Sequence, residues 1–180
     1  MTQPAAIILA AGGSTRMGSP KALLDLHGRT LIEAHVASLS VCCSPIIVVL
    51  GGHGEEIDAV LPSHVTRVWN NDWRTSETRD SIALGLEGLS HDQRVVVTPV
   101  DVPPVPVDVL EQMISCEGPA VPCDEEQPGH PVVIVAGPAR ADLANQPLHQ
   151  HLSEATLVDV DWPDCTVGFN TPEEWNAWRN

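Results

Sequence analysis

The chain has 180 residues, the size of one domain, which excludes a fusion of two enzymes. Nine Lys+Arg against 24 Asp+Glu leave a net charge of −15, a sign that repels phosphate backbones and anionic lipid and argues against nucleic acid and membranes as partners. The five cysteines are odd in number and contain no Cys-x-x-Cys pair, so neither a disulfide framework nor a zinc site is indicated and a cytoplasmic location is expected.

Taken in chain order, Ala5–Ala11 is a nearly unbroken apolar run and predicts a central strand buried on both faces. No positive charge precedes it and Gly-Gly-Ser-Thr-Arg follows at once, so it reads as a strand and not as a secretory leader. Thr30-Leu31-Ile32-Glu33 has the spacing of a capping box and predicts a helix to about Ser40. Ile46–Leu50 predicts a second strand, ending in Gly51-Gly52-His53-Gly54, and Thr66–Trp69 a third. Arg94–Thr98 predicts a fourth, leading into Pro99-Val100-Asp101-Val102-Pro103, and Ala120–Cys123 and Val132–Val135 are weaker strand candidates. Apolar residues three and four apart predict helices near Glu55–Leu61, Thr78–Leu89 and Pro106–Ile114. Thr171-Pro172-Glu173-Glu174 repeats the capping box with proline at the first helical position and predicts a short terminal helix. Alternating strands and helices imply an α/β fold: one domain over residues 1–180, with a mostly parallel twisted sheet and helices on both faces.

The segment Leu9-Ala10-Ala11-Gly12-Gly13-Ser14-Thr15-Arg16-Met17-Gly18-Ser19-Pro20-Lys21 empties a buried strand into small residues carrying one arginine and the chain's only lysine. Small residues let backbone amides approach phosphate oxygens, and Arg16 and Lys21 supply the charge that an acidic chain otherwise lacks. The same residues also suit a plain strand-to-helix turn. Spacing excludes a P-loop, because Gly18 is followed by Ser19-Pro20 before the lysine, and the adjacent Gly12-Gly13 breaks the dinucleotide pattern Gly-x-Gly-x-x-Gly.

Residues 9–21 resemble the nucleotide signature of the molybdenum cofactor nucleotidyltransferase-like family, Leu-Ala-(Ala/Gly)-Gly-x-Ser-x-Arg-Met-Gly-x-x-Lys. Further elements of that resemblance follow in order: Leu26-x-Gly28-x-Thr30-Leu31, Pro99-Val100-Asp101-Val102-Pro103, Pro128-Gly129-His130-Pro131 and Asn170-Thr171-Pro172-Glu173-Glu174. The Gly-His-Pro element looks most like the cytidylyltransferase branch, and the Gly-Phe-Asn-Thr-Pro end is also similar to the guanylyltransferase branch.

The resemblance implies a Rossmann-like fold of the nucleotide-diphospho-sugar transferase type and a magnesium-dependent transfer of a nucleotidyl group from a triphosphate to a phosphorylated acceptor, with release of pyrophosphate. CTP is expected ahead of GTP or ATP, molybdopterin is the first acceptor to consider, and a molybdenum enzyme is a possible recipient of the product. Arg16 and Lys21 would hold the triphosphate, the loop at Leu9, Ala10, Ala11, Gly12, Gly13 and Ser14 would wrap it, Asp101 would coordinate Mg2+, Asn71 and Ser81 would contact base and ribose, and His130 would face the acceptor. Independently of the family, Asp101 follows a buried strand where open α/β sheets bind ligands, or else caps the helix expected near Pro106.

Two positions depart from the family. Gly168 stands where many members carry an acidic second metal ligand, with Asp161 and Asp164 as upstream substitutes, and His149 stands near a position where cytidylyltransferase-like members usually show arginine. His149 and His151 also form a His-x-His pair, which a helix would place on different faces. Gly168 motivates an alternative function: a nucleotide-binding module without turnover, acting in regulation or cofactor delivery.

Overall fold

In the computed structural model, which describes residues 3–179, the first predicted strand lies within an eight-stranded sheet, between partners on both sides. The strands are β1 (Ala5–Ala10), β2 (Asp25–Leu26), β3 (Arg29–Thr30), β4 (Ile46–Leu50), β5 (Thr66–Trp69), β6 (Arg94–Pro99), β7 (Ala120–Asp124), β8 (Gln127–Pro128), β9 (Val132–Val135) and β10 (Thr156–Asp159). The main sheet runs β10-β7-β9-β6-β1-β4-β5, with β8 paired to β7 and β2-β3 forming a separate hairpin. β1 is parallel to both β4 and β6, and β9 runs antiparallel to β6 and β7. The expected α/β class is therefore found, as a mixed sheet that is mostly parallel.

Helices α1 (Leu31–Leu39), α2 (Gly54–Asp58), α3 (Thr78–Leu86), α4 (Val107–Ser115), α5 (Ala136–Leu143), α6 (Leu148–His151) and α7 (Pro172–Arg179) connect and cover the strands. The two-residue periodicity of β1 sorts its side chains into two cores. Ala6, Ile8 and Ala10 pack with Ile32, Val36 and Leu39 of α1 and Leu110 and Met113 of α4. Ala5 and Ile7 pack with Ile82 and Leu86 of α3 and Ala139 and Leu143 of α5. A third cluster joins Met17, Leu31, Phe169 and Trp175, with the Phe169 and Trp175 rings edge to face at 5.0 Å, so the end of the chain is fastened beside the glycine-rich loop.

Local chemistry explains where the elements stop. Thr30 and Glu33 form the expected reciprocal cap of α1, and Thr171 and Glu174 do the same before α7. α3 ends at Leu86, short of the expected Leu89, because Glu87 leaves the helical backbone and Gly88 takes a positive φ of 79°. α2 ends at Asp58 and not at Leu61. α4 begins after an N-cap at Pro106 that makes no side-chain cap bond, so Asp101 does not cap it.

The five cysteines are free. Burial raises the Cys43 thiol to about 12 and pushes those of Cys42, Cys123 and Cys165 upward, which holds them as uncharged packing groups. Among the described residues no helix is long and apolar enough to cross a membrane.

Candidate active site

β1, β4, β5 and β6 are parallel, so their carboxyl ends open at one edge of the sheet. The connection from β1 proceeds to β4 on one side while β6 lies on the other, and the loops after β1 and β6 flank the resulting crevice. The glycine-rich loop leaves β1 and the Asp101 segment leaves β6, so the topology brings together two motifs that lie 80 residues apart in sequence.

Within the loop, Ser14 adopts φ 48° and its carbonyl accepts from the amides of Met17 and Gly18, closing a tight turn. The Ser14 hydroxyl accepts from the Lys21 amide at 3.1 Å, fixing where the lysine starts. A Cβ on Gly12 would meet nothing within 4 Å, so this glycine faces open space; one on Gly13 would strike the Trp73 ring at 2.8 Å, so this glycine admits a neighbour.

Four side chains converge at the mouth. Lys21 Nζ donates to Asp101 Oδ2 at 2.7 Å and to Asn170 Oδ1 at 3.2 Å. Arg16 Nη2 donates to the same Asn170 Oδ1 at 2.8 Å. The two cations thus meet at one point instead of splaying apart, and the Lys21 side chain is only 12% exposed while that of Asp101 is 33% exposed. Asp101 is itself framed by backbone: Val100 N donates to Leu9 O, and Phe169 N donates to Asp101 O at 2.7 Å.

Two adjoining hollows share Leu9, Gly12 and Asp101 in their walls. The smaller, about 100 Å³, adds Ala10, Ser14, Lys21 and His53. The larger, about 440 Å³, adds Ala11, Trp73, Ser76, Ser81 and His130. Of the residues singled out in the sequence, Leu9, Ala10, Ala11, Gly12, Ser14, Lys21, Ser81, Asp101 and His130 therefore line this crevice. Gly13 backs it, and Arg16 reaches it through Asn170. Asn71 is exposed and lines a neighbouring hollow with Trp69 and Arg74. Its neighbour Asn70 is the buried one, donating to the hydroxyls of Ser76 at 2.8 Å and Ser81 at 2.9 Å.

His130 Nδ1 is buried without a hydrogen-bond partner, and burial holds the imidazole below the ordinary histidine range, against the opposing charge of Asp101. A neutral ring beside the crevice follows. Gly168 does not owe its identity to crowding: a Cβ there would meet only the Asp101 carbonyl, at an ordinary 3.8 Å. Asp164 is committed elsewhere, accepting from the Trp178 indole at 2.8 Å. His151 bonds Asp142 of α5 at 2.7 Å.

The sequence reading missed Asn170 as a shared acceptor and His53, whose Nε2 lies 3.2 Å from the Gly13 carbonyl and Nδ1 3.1 Å from Glu56. The lone Gly-His-Gly after β4 was the available signal for His53, and the Asn before the second capping box was the signal for Asn170.

The pattern of the MobA-like NTP transferase domain matches residues 6–159. The chain belongs to that family. As a MobA-like NTP transferase it falls in the nucleotidyltransferase class of enzymes. It is 25% identical to the molybdenum cofactor cytidylyltransferase of Escherichia coli K12 over 94% of this chain and 92% of that one. It is 32% identical to the nicotine blue oxidoreductase of Paenarthrobacter nicotinovorans over 73% of this chain and 70% of that one. A nucleotidyl transferase from Methanothermobacter has the same fold as this chain, with a TM-score of 0.84 at 22% identity over 99% of this chain and 97% of that one.

Proposed function

We propose that this nucleotidyltransferase moves a nucleoside monophosphate from a triphosphate, CTP in preference to GTP or ATP, to a phosphorylated acceptor of the molybdopterin type, with pyrophosphate as the second product. The observation that carries the reading is the meeting of Lys21, Arg16 and Asp101 at one mouth of the crevice, beneath a loop whose Gly12 faces open space. The name of the Escherichia coli relative supports the choice of donor and acceptor.

The chemistry asks little proton transfer of the protein. The acceptor phosphate is already anionic; its oxygen forms a bond to the α-phosphorus while the bridging α–β P–O bond breaks and its electrons leave with pyrophosphate. Catalysis then reduces to in-line placement and to neutralising charge as it develops. The loop amides from Gly12 to Ser14 would wrap the phosphates, Lys21 and Arg16 would draw their charge inward, and Ser81, tied to Asn70, would contact the nucleoside in the larger hollow. Asn71, on the rim next door, would serve the outer edge of the base. His130, neutral beside Asp101, would face the acceptor.

The donor set suits a divalent cation. Among the described residues no group of three or more His, Cys, Asp or Glu side chains would cage a metal. Asp101 and the Asn170 carbonyl are instead hard oxygen donors meeting at one ammonium group, which fits an ion that takes its remaining ligands from water and substrate phosphates. Bound there, Mg2+ would supply charge neutralisation at the transferring phosphoryl group.

The test is pyrophosphate release with Mg2+ from CTP, GTP and ATP in turn, with molybdopterin as acceptor, alongside calorimetry of the same nucleotides. CTP is expected to give the highest kcat/KM. Tight binding with no release from any triphosphate would overturn the enzymatic transfer and establish the inert nucleotide-binding module that Gly168 suggests.

A further inference from the structure

The segment from Pro99 to Pro106 carries prolines at 99, 103, 104 and 106, so half of its residues have no backbone N–H to offer a neighbour. It is nevertheless partly interior: Val102, Pro103 and Val105 are buried, in a stretch without regular structure. Buried carbonyls need donors, and with so few amides nearby they must come from side chains. α1 provides them. His35 Nε2 donates to Val102 O at 3.1 Å, and the Ser38 hydroxyl donates to Val105 O. Positions 35 and 38 are three apart, so both lie on the α1 face that packs against this segment.

His35 is 1% exposed, and its Nδ1 is buried without a partner. Its Nε2 hydrogen bond therefore goes to the carbonyl one residue after Asp101. With Val100 N on Leu9 O and Phe169 N on Asp101 O, the peptide units on both sides of Asp101 are held by three different parts of the chain.

Resting on the assignment of Asp101 as a metal ligand, we propose that His35 is a positioning residue, assisted by Ser38, that acts through the Val102 and Val105 carbonyls to hold the Asp101 carboxylate facing the crevice. Neither side chain touches substrate. A proline-rich turn aims the carboxylate, and α1 supplies the donors that the prolines removed.

Two measurements test this on the full chain. The first is amide hydrogen exchange at Val100 and Phe169, read by NMR without nucleotide or metal. Both amides are expected to exchange about tenfold faster in His35→Phe/Ser38→Ala than in wild type, the equivalent of losing roughly one ordinary hydrogen bond, while the amide of Val48 in β4 is unchanged. The second is Mn2+ affinity in the presence of CTP, read by electron paramagnetic resonance. His35→Phe is expected to weaken it about tenfold, the lower end for loss of a supporting partner, and His35→Gln, which keeps an N–H donor near the same place, to restore it. Wild-type exchange in the double variant overturns the clamp. Faster exchange with undiminished Mn2+ affinity in His35→Phe overturns the positioning role. Undiminished Mn2+ affinity in Asp101→Asn would instead sink the metal assignment, and the exchange rates at Val100 and Phe169 would still decide whether the clamp exists.

Discussion

Asp101→Asn is expected to lower turnover by about 10²-fold or more, the scale of losing one preorganised electrostatic contact at a developing charge, while nucleotide affinity measured without metal stays the same or improves. The asymmetry comes from the ion pair at 2.7 Å. Asp101 is paired with Lys21 in this structure, so its charge would oppose a triphosphate in the absence of metal and would assist only with a divalent cation bound. Lys21→Ala should show the opposite balance. Removing a charge-assisted donor costs about 1.5–3 kcal/mol, or roughly 10–100-fold in Kd, and it also leaves the Asp101 carboxylate unpaired toward the incoming phosphates. Asp101→Asn should therefore improve metal-free CTP binding more in the Lys21→Ala background than in wild type, a coupling that calorimetry reads as a double-mutant cycle. An equal effect in both backgrounds would show that the two side chains do not share a task.

The second large effect concerns acid stability. Burial is the main cause that lowers the His35 imidazole to about 4, against its hydrogen bonding to the Val102 and Val100 backbone and the charge of Asp101, which raise it. In the unfolded chain the same ring titrates near 6.5. Between those two values the unfolded chain binds a proton that the folded chain refuses, so stability falls as pH drops from about 6.5 to about 4 and this contribution is complete below that. The shift corresponds to about 3 kcal/mol in order of magnitude. His130, also lowered by burial, adds in the same direction. Urea midpoints taken through this window should fall more steeply for wild type than for His35→Phe, and parallel curves would contradict the assignment of the loss to His35.

The fold was legible where burial writes a pattern. β1 and β4 are covered on both faces, and their continuous apolar runs announced them. β10 was silent because it is an edge strand whose Thr156, Leu157 and Asp159 are exposed, leaving no alternation to read. α5 was silent for another reason: Gly137 and Pro138 lower its helical propensity, yet Pro138 falls in the first turn, where a missing N–H costs little, and Ala139 and Leu143 are buried against the sheet. The turn joining β2 and β3 takes positive φ at His27 and Gly28, and only the glycine signals it.

The site divided along similar lines. Loop chemistry is local, so the small residues and two cations of residues 9–21 stood out in the sequence, and the family resemblance, not spacing, pointed them toward a triphosphate. Contacts that depend on the closing of the fold were hidden. Asn170 meets Lys21 and Arg16 across 149 and 154 residues, and it is placed there by the packing of Phe169, Trp175 and Trp178. His35 looks like any helical histidine until the four prolines opposite it are seen to lack donors.

The most direct test of the central claim is a crystal structure of the protein with α,β-methylene-CTP and Mn2+, the ion located by its anomalous signal. The triphosphate is expected between the Gly12–Ser14 amides and Lys21, with the manganese peak on the Asp101 carboxylate. A nucleotide bound outside this crevice, or a metal peak remote from Asp101, would contradict the account.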